Sequence, residues 1–211
     1  MHVKSLIEYV YAGRKRKNGE PVTAHLYGVR NILVEEGIHE ESMLNTALLH
    51  DILEDTDLTL DYLALKFGDK TAKLVDLLSK DPAWNTSYCR MKSSMDEIEL
   101  SWIDYPEAVT IKMADRLHNL YTIDGFKPEK QREYIQETEE MLFPIFERIY
   151  EQNNLGRLKK VIYNLLQRLR KEIQLIDERL SQTKAVGRFN TRILRNCLEL
   201  ACKVRRFIWI F

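Results

Sequence analysis

The stretch ALLHDILEDTD, Ala47 to Asp57, sets a histidine and four carboxylates directly behind a run of alanine and leucines. At about 100° per residue, His50, Asp51, Glu54 and Asp55 fall within an arc of about 140°, with Leu48, Leu49, Ile52 and Leu53 opposite. Alone, this is an ordinary amphipathic helix, and a solvated face explains it as well as a metal site does. The same helical periodicity recurs along most of the chain. Sustained alternation and hairpin turns are absent, so the expected fold class is all-α.

Working outward, the periodicity predicts helices over Val3–Arg16, Ala24–Glu36, Glu40–Leu53, Thr59–Phe67, Lys70–Ser79, Pro106–Ile123, Pro128–Glu151 and Leu155–Ser181, with a last one after Asn190. Turn chemistry separates them at NGEP (Asn18–Pro21), EEG (Glu35–Gly37), EDTD (Glu54–Asp57), FGD (Phe67–Asp69) and DPAWN (Asp81–Asn85). Pro106 and Pro128 stand where first-turn prolines belong, and Pro144 is expected to kink or divide its segment. Met91–Asp104 reads as either a short helix or a loop.

Composition bounds the function. The chain has 211 residues, 45% of them apolar and 30% charged, which fits a globular protein and excludes a disordered one. No run approaches the roughly 20 apolar residues that cross a bilayer, and the first residues lack the pattern of a signal peptide. Three cysteines, Cys89, Cys197 and Cys202, without a C-x-x-C pair, suit reduced thiols and a cytoplasmic location. From Leu155 onward there are 14 Lys and Arg against 4 Asp and Glu. That surplus marks a boundary near Asn153–Gly156, dividing a domain over 1–152 from a basic helical extension over 153–211.

A second polar cluster shifts the balance toward a site. In IKMADRLHNLYTI, Asp115, Asn119 and Thr122 share one stripe at i, i+4 and i+7, while Met113, Leu117 and Leu120 face away. Short Asp, Asn and Thr side chains suit ligating or orienting something better than solvation, the alternative being a buried polar stripe hydrogen-bonded to a neighbouring helix. His118 lies off that stripe and is not counted as a ligand. His25, in TAHLYGVRNIL, shares a face with Val29 and Ile32 and points inward. Two histidines, a carboxylate beside one of them and a distant Asp form an N/O donor set suited to Mn²⁺, Fe or Zn²⁺, without the thiolates of a closed structural zinc site. Glu54 and Asp55 stand one turn further on, where they can position or deprotonate a water. The basic run RKRKNGEP, Arg14 to Pro21, is either a charged helix end or a clamp for phosphates or a purine base.

The pattern His25, His50–Asp51, Asp115 resembles the H…HD…D signature of HD-domain metal-dependent phosphohydrolases. More narrowly, RKNGEP…H, ALLHDILEDTD, LTLDYLALKFGDKTAKLVDLLSK, IKMADRLHNLYTI and PEKQREYIQET, from about Tyr11 to about Glu147, resemble the (p)ppGpp hydrolase domain of the RelA/SpoT family. The resemblance implies an all-α HD-domain bundle that removes the 3′-pyrophosphate of (p)ppGpp. It implies one metal, usually manganese, on His25, His50, Asp51 and Asp115. It gives Glu54 and Asp55 to the attacking water, Arg16 and Lys17 to the guanine, and Asn119 and Thr122 to the nucleotide.

The chain departs from the family at PVTAHL, where Val22 replaces a tyrosine and Leu26 a proline, and at Asn18, where a serine is common. Nothing resembles the family's synthetase domain, so a small stand-alone hydrolase or a piece of a longer ancestor is implied. The extension carries Leu158, Ile162, Leu165, Leu169, Ile173, Ile176 and Leu180 at spacings of three and four, a seam for packing on the domain or on a second copy. The tail RRFIWIF is expected to dock on the core rather than on a membrane surface. Two rival functions stand beside the first. One is an HD hydrolase of another nucleotide, such as a dNTP, a nucleoside monophosphate or NADPH. The other, ranked lower, is a regulatory or nucleic-acid-associated module working through the basic helices, whose aromatics are too sparse for base stacking.

Overall fold

Helical spacing of apolar residues, capped by short polar ones, builds the molecule. The computed structural model describes residues 2–79, 86–152 and 154–182. The helices are α1 (Val3–Val10), α2 (Val22–Glu35), α3 (Glu41–Leu49), α4 (Ile52–Asp55), α5 (Leu60–Phe67), α6 (Asp69–Leu78), α7 (Ser87–Ser101), α8 (Pro106–Tyr121), α9 (Pro128–Glu137), α10 (Phe143–Tyr150) and α11 (158–182). Among the described residues there is no strand, only a single bridge pairing Lys15 with Pro21. The expected helix after Asn190, the tail from Arg205 and the DPAWN break lie outside the described residues.

Local chemistry sets the boundaries. Thr59 caps α5 by accepting from the Tyr62 amide, and Gly68, at φ +87°, ends α5 and opens α6 in a conformation that only glycine adopts without strain. Thr86 caps α7, which resolves the ambiguous Met91–Asp104 stretch as helix as far as Ser101. A π-turn over Thr138–Leu142 splits the expected Pro128–Glu151 helix just ahead of Pro144. Proline has no amide hydrogen to donate and its ring crowds the carbonyl four residues back, so the ladder loosens there.

Two expectations are corrected. The first helix ends at Val10, not Arg16, because the chain from Arg14 to Val22 closes a tight loop of its own: Arg16 donates to the Glu20 carbonyl at 2.8 Å and Val22 to that of Arg14 at 3.2 Å. The expected Glu40–Leu53 helix breaks at His50–Asp51, where the His50 imidazole takes the Ala47 carbonyl at 2.9 Å. Leu49 and Ile52, both fully buried, pin the two sides of that break, and each contributes about 2 kcal/mol by burial. They belong to an apolar cluster with Leu6, Ile7, Leu26 and Leu63 that binds α1 through α6. Helix α8 lies against α2 and α3. Its Arg116 is buried, paired with Glu137 and stacked 4.2 Å from the Tyr134 ring centroid, which fastens α8 to α9.

By contacts the chain forms two compact units, 1–172 and 173–211. The first includes α11 as far as Glu172, with Leu158, Ile162, Leu165 and Leu169 buried in it. Several of its cations face carboxylates of the same unit. Asn164 and Arg168 donate to Glu36 at 2.8 and 2.9 Å, Arg170 to Glu147 at 2.6 Å, and Arg157 pairs with Glu40. In the second unit the helix continues to 182, with Ile173, Ile176 and Leu180 buried. Among the described residues no helix is long and apolar enough to cross a membrane.

Candidate metal centre and active site

Three helical segments bring the polar clusters to one place: α2 supplies His25, the α3–α4 break supplies His50 and Asp51, and α8 supplies Asp115. His25 Nε2 stands 3.3 Å from His50 Nε2 and 3.3 Å from Asp115 Oδ1. His50 Nε2 stands 3.3 Å from Asp51 Oδ2 and 3.7 Å from Asp115 Oδ1. Ligands about 2.1 Å from a common ion are separated by about 3.0 to 3.4 Å in octahedral or tetrahedral arrangements. The 3.3 Å separations lie in that range and the 3.7 Å one just outside it, and His25, His50 and Asp51 form a group whose chemistry and spacing suit a divalent cation. Both histidines are 3% exposed, while the Asp51 side chain, 31% exposed, leaves the cluster open on one side.

The electrostatics follow from this crowding. Burial works against charge on His50, but Asp51 and Asp115 outweigh it and push the imidazole up to about 9. Burial also dominates at His25 and lowers it, with Asp115 pulling the other way. At Asp115 burial favours the neutral acid, yet Lys112 and the two histidines hold the carboxyl well below its ordinary value. Lys112 is itself buried, with Nζ 3.4 Å from Asp115 Oδ2. Such an arrangement keeps the Asp115 carboxyl ionised.

The basic loop closes over this cluster. A cavity of about 310 Å³ is bordered by Arg16, Lys17, His25, Asp51, Asp55 and Phe126, with Val22 also on its wall. Arg16 donates from Nη2 to Asn119 Oδ1 at 2.5 Å, and Asn119 donates from Nδ2 to Asp115 Oδ1 at 2.7 Å. Asp55 borders this cavity and a second one of about 500 Å³, where Glu54 and Arg14 stand. Burial, with the charge of Asp51 added, raises the Asp55 carboxyl. Thr122 turns its hydroxyl back to the carbonyls of His118 and Asn119. Leu26 is fully buried in the apolar cluster, so of the two departures in PVTAHL only Val22 meets the cavity.

Sequence reasoning missed four neighbours. Lys112 precedes Asp115 by three and His118 follows it by three, and that spacing is the signal that could have found them. His118 places Nδ1 3.0 Å from His25 Nδ1. Tyr11 is 2% exposed beside the Asp55 and Asp51 charges, and burial chiefly pushes its phenol upward. Phe126 follows a short 3₁₀ turn after α8, and nothing in its local pattern marks it.

A family model described as the HD domain matches residues 4–148. The chain belongs to the HD-domain family. Among relatives of this HD-domain chain, a probable guanosine-3′,5′-bis(diphosphate) 3′-pyrophosphohydrolase of Synechocystis is 34% identical over 142 residues, covering 66% of this chain and 19% of that protein. A probable GTP pyrophosphokinase of Mycobacterium leprae is 35% identical over 139 residues, covering 66% and 18%. The chain thus spans about a fifth of the length of these curated relatives. A solved metazoan orthologue of SpoT, described as hydrolysing ppGpp, superposes with a TM-score of 0.63 over 78% of this chain and 92% of its own, at 24% identity. At that identity the likeness shows the fold.

Proposed function

We propose that this HD-domain chain hydrolyses the 3′-pyrophosphate of (p)ppGpp, giving GDP or GTP and pyrophosphate. The observation that carries the reading is the 310 Å³ cavity in which two donors, His25 and Asp51, meet the Asp55 carboxylate and the cations Arg16 and Lys17. A nucleotide with a diphosphate on the ribose needs those elements side by side. The names of the pyrophosphohydrolase relatives support the same reading.

His25, His50, Asp51 and Asp115 are the proposed ligands of one divalent ion, with manganese first and iron or zinc also suited to the donors. When bound, such an ion acts as a Lewis acid toward a phosphate oxygen and acidifies water. Asp55, which borders the same cavity as His25 and Asp51, orients the attacking water and takes its proton. Glu54, beside it on α4, is the second acidic partner. The water oxygen bonds to the phosphorus on O3′, the P–O3′ bond breaks, and the ribose oxygen leaves with a proton. Arg16 and Lys17 lie against the guanine, and Asn119 and Thr122 reach the nucleotide. An amide has a second lone pair and a second hydrogen, so Asn119 can contact nucleotide while it holds Arg16 and Asp115. We place catalysis in 1–152, with 153–211 as an appended basic extension, and the site of action in the cytoplasm.

A substrate panel tests this. With manganese present, ppGpp, pppGpp, dNTPs, nucleoside monophosphates and NADPH are compared by product analysis. Pyrophosphate released from the 3′ position of ppGpp, with the others slow, supports the proposal. Preferential turnover of a dNTP, monophosphate or NADPH overturns the substrate and leaves the HD chemistry.

A further inference from the structure

The two histidines of the donor cluster present the same nitrogen, Nε2, and differ in what holds the other one. His50 Nδ1 lies 2.9 Å from the Ala47 carbonyl, which can only accept. His50 therefore carries a proton on Nδ1, and backbone geometry turns its Nε2 to the cluster. His25 has no carbonyl in that role. Its Nδ1 lies 3.0 Å from Nδ1 of His118, and the two rings meet edge to face with centroids 4.9 Å apart.

Two imidazole nitrogens hydrogen-bond only when one carries the proton and the other a lone pair. If His25 Nε2 offers its lone pair to a cation, His25 Nδ1 holds the proton and His118 Nδ1 must accept it. His118 then carries its own proton on Nε2. The fold makes room for this ring at one place. Gly28, three residues along α2 from His25, has no side chain, and a Cβ built there stands 1.9 Å from His118 Nε2 and 2.0 Å from its Cδ2. No flexible tip is at fault in that clash. The atoms are ring members of a side chain held at its other edge by His25, so even alanine at position 28 displaces the ring.

We propose that His118 is a positioning residue, seated in the notch at Gly28, that accepts from His25 Nδ1–H and so locks His25 with Nε2 toward the donor cluster. The inference rests on reading His25 as a metal ligand. An imidazole nitrogen is a stronger acceptor than a peptide carbonyl, so the bond both fixes the His25 tautomer and strengthens it as a donor. Second partners of this kind typically change metal affinity by about 10- to 100-fold.

The test compares Mn²⁺ affinity, by chelator competition, in wild-type protein and in His118→Phe, His118→Asn and Gly28→Ala. Thermal unfolding of the metal-free proteins reports folding separately. Phenylalanine keeps a ring without an acceptor, and the expected loss is about 10- to 100-fold. Asparagine restores an acceptor and is expected to regain most of the affinity, while Gly28→Ala weakens binding as the phenylalanine does. Folded His118→Phe with wild-type affinity overturns the inference alone. Wild-type protein that takes up no metal overturns the metal reading and this inference with it. Should the variants fail to fold, long-range ¹H–¹⁵N spectra of wild-type protein loaded with Zn²⁺ decide the matter. His25 protonated on Nδ1 and His118 on Nε2 is the expected pair, and a proton on His118 Nδ1 overturns the inference.

Discussion

Asn119 donates from Nδ2 to Asp115 Oδ1 at 2.7 Å, which ties the loop-facing side of α8 to the donor cluster. Its other end accepts from Arg16, so one amide joins a cation of the basic-loop cavity to a carboxylate of the donor cluster.

Removing that link affects both partners. Asn119→Ala is expected to weaken Mn²⁺ binding by about tenfold, the range for one hydrogen bond to a charged group, and to raise KM for ppGpp as Arg16 loses its anchor. Metal titration and steady-state kinetics on the same protein check this. A change in KM with no change in metal affinity confines Asn119 to the substrate.

Asp51 and Asp115 are expected to part company in stability though not in activity. Alanine at either position abolishes metal uptake and turnover. The Asp115 carboxylate also faces the buried Lys112, whereas the Asp51 side chain is 31% exposed. Asp115→Ala therefore costs about 3 kcal/mol in the metal-free protein, and Asp51→Ala about 1 kcal/mol or less. Urea unfolding after metal stripping measures both, and equal costs contradict the role given to Lys112.

The donors were legible because ligand types recur at helical spacing on segments that are themselves strongly periodic. His25 with Val29 and Ile32, and Asp115 with Asn119 and Thr122, are such cases. Breaks caused by side chains were harder to read. The helix interruption at His50–Asp51 depends on an imidazole competing for the Ala47 carbonyl, which a periodicity pattern does not encode. The early end of α1 depends on the hydrogen bonds of the Arg14–Val22 loop. Contacts between distant segments, such as His118 with Gly28 and Tyr11 with Asp55, exist only once α2, α8 and α1 have packed.

Asp55 sets an expectation for pH. In the metal-free protein burial and Asp51 raise its carboxyl above the ordinary value of about 4. A base must be ionised to take a proton, so kcat/KM is sustained above the Asp55 pKa of the loaded enzyme and falls as pH drops through it. A cation held by Asp51 offsets the charge that raises Asp55, so the acid limb of the metal-loaded enzyme is expected below the titration of Asp55 in the metal-free protein. Asp55→Asn lowers turnover by about 10²- to 10⁴-fold and leaves metal stoichiometry unchanged. Near-normal turnover by Asp55→Asn, or a kcat/KM that does not fall with acid, assigns the base elsewhere.

Arg116 separates structure from site. Arg116→Ala removes its pairing with Glu137 and its stacking on Tyr134, and is expected to cost about 3 kcal/mol, read as a lowered Tm. Below that Tm the folded variant is expected to bind Mn²⁺ as wild type does. A selective loss of metal with unchanged stability reverses that assignment.

The most direct measurement is ppGpp turnover by metal-stripped protein, with manganese added back and both products quantified. Manganese-dependent release of GDP and pyrophosphate in equal amounts is predicted. Turnover that persists without metal, or none in protein shown to hold manganese, contradicts the proposal.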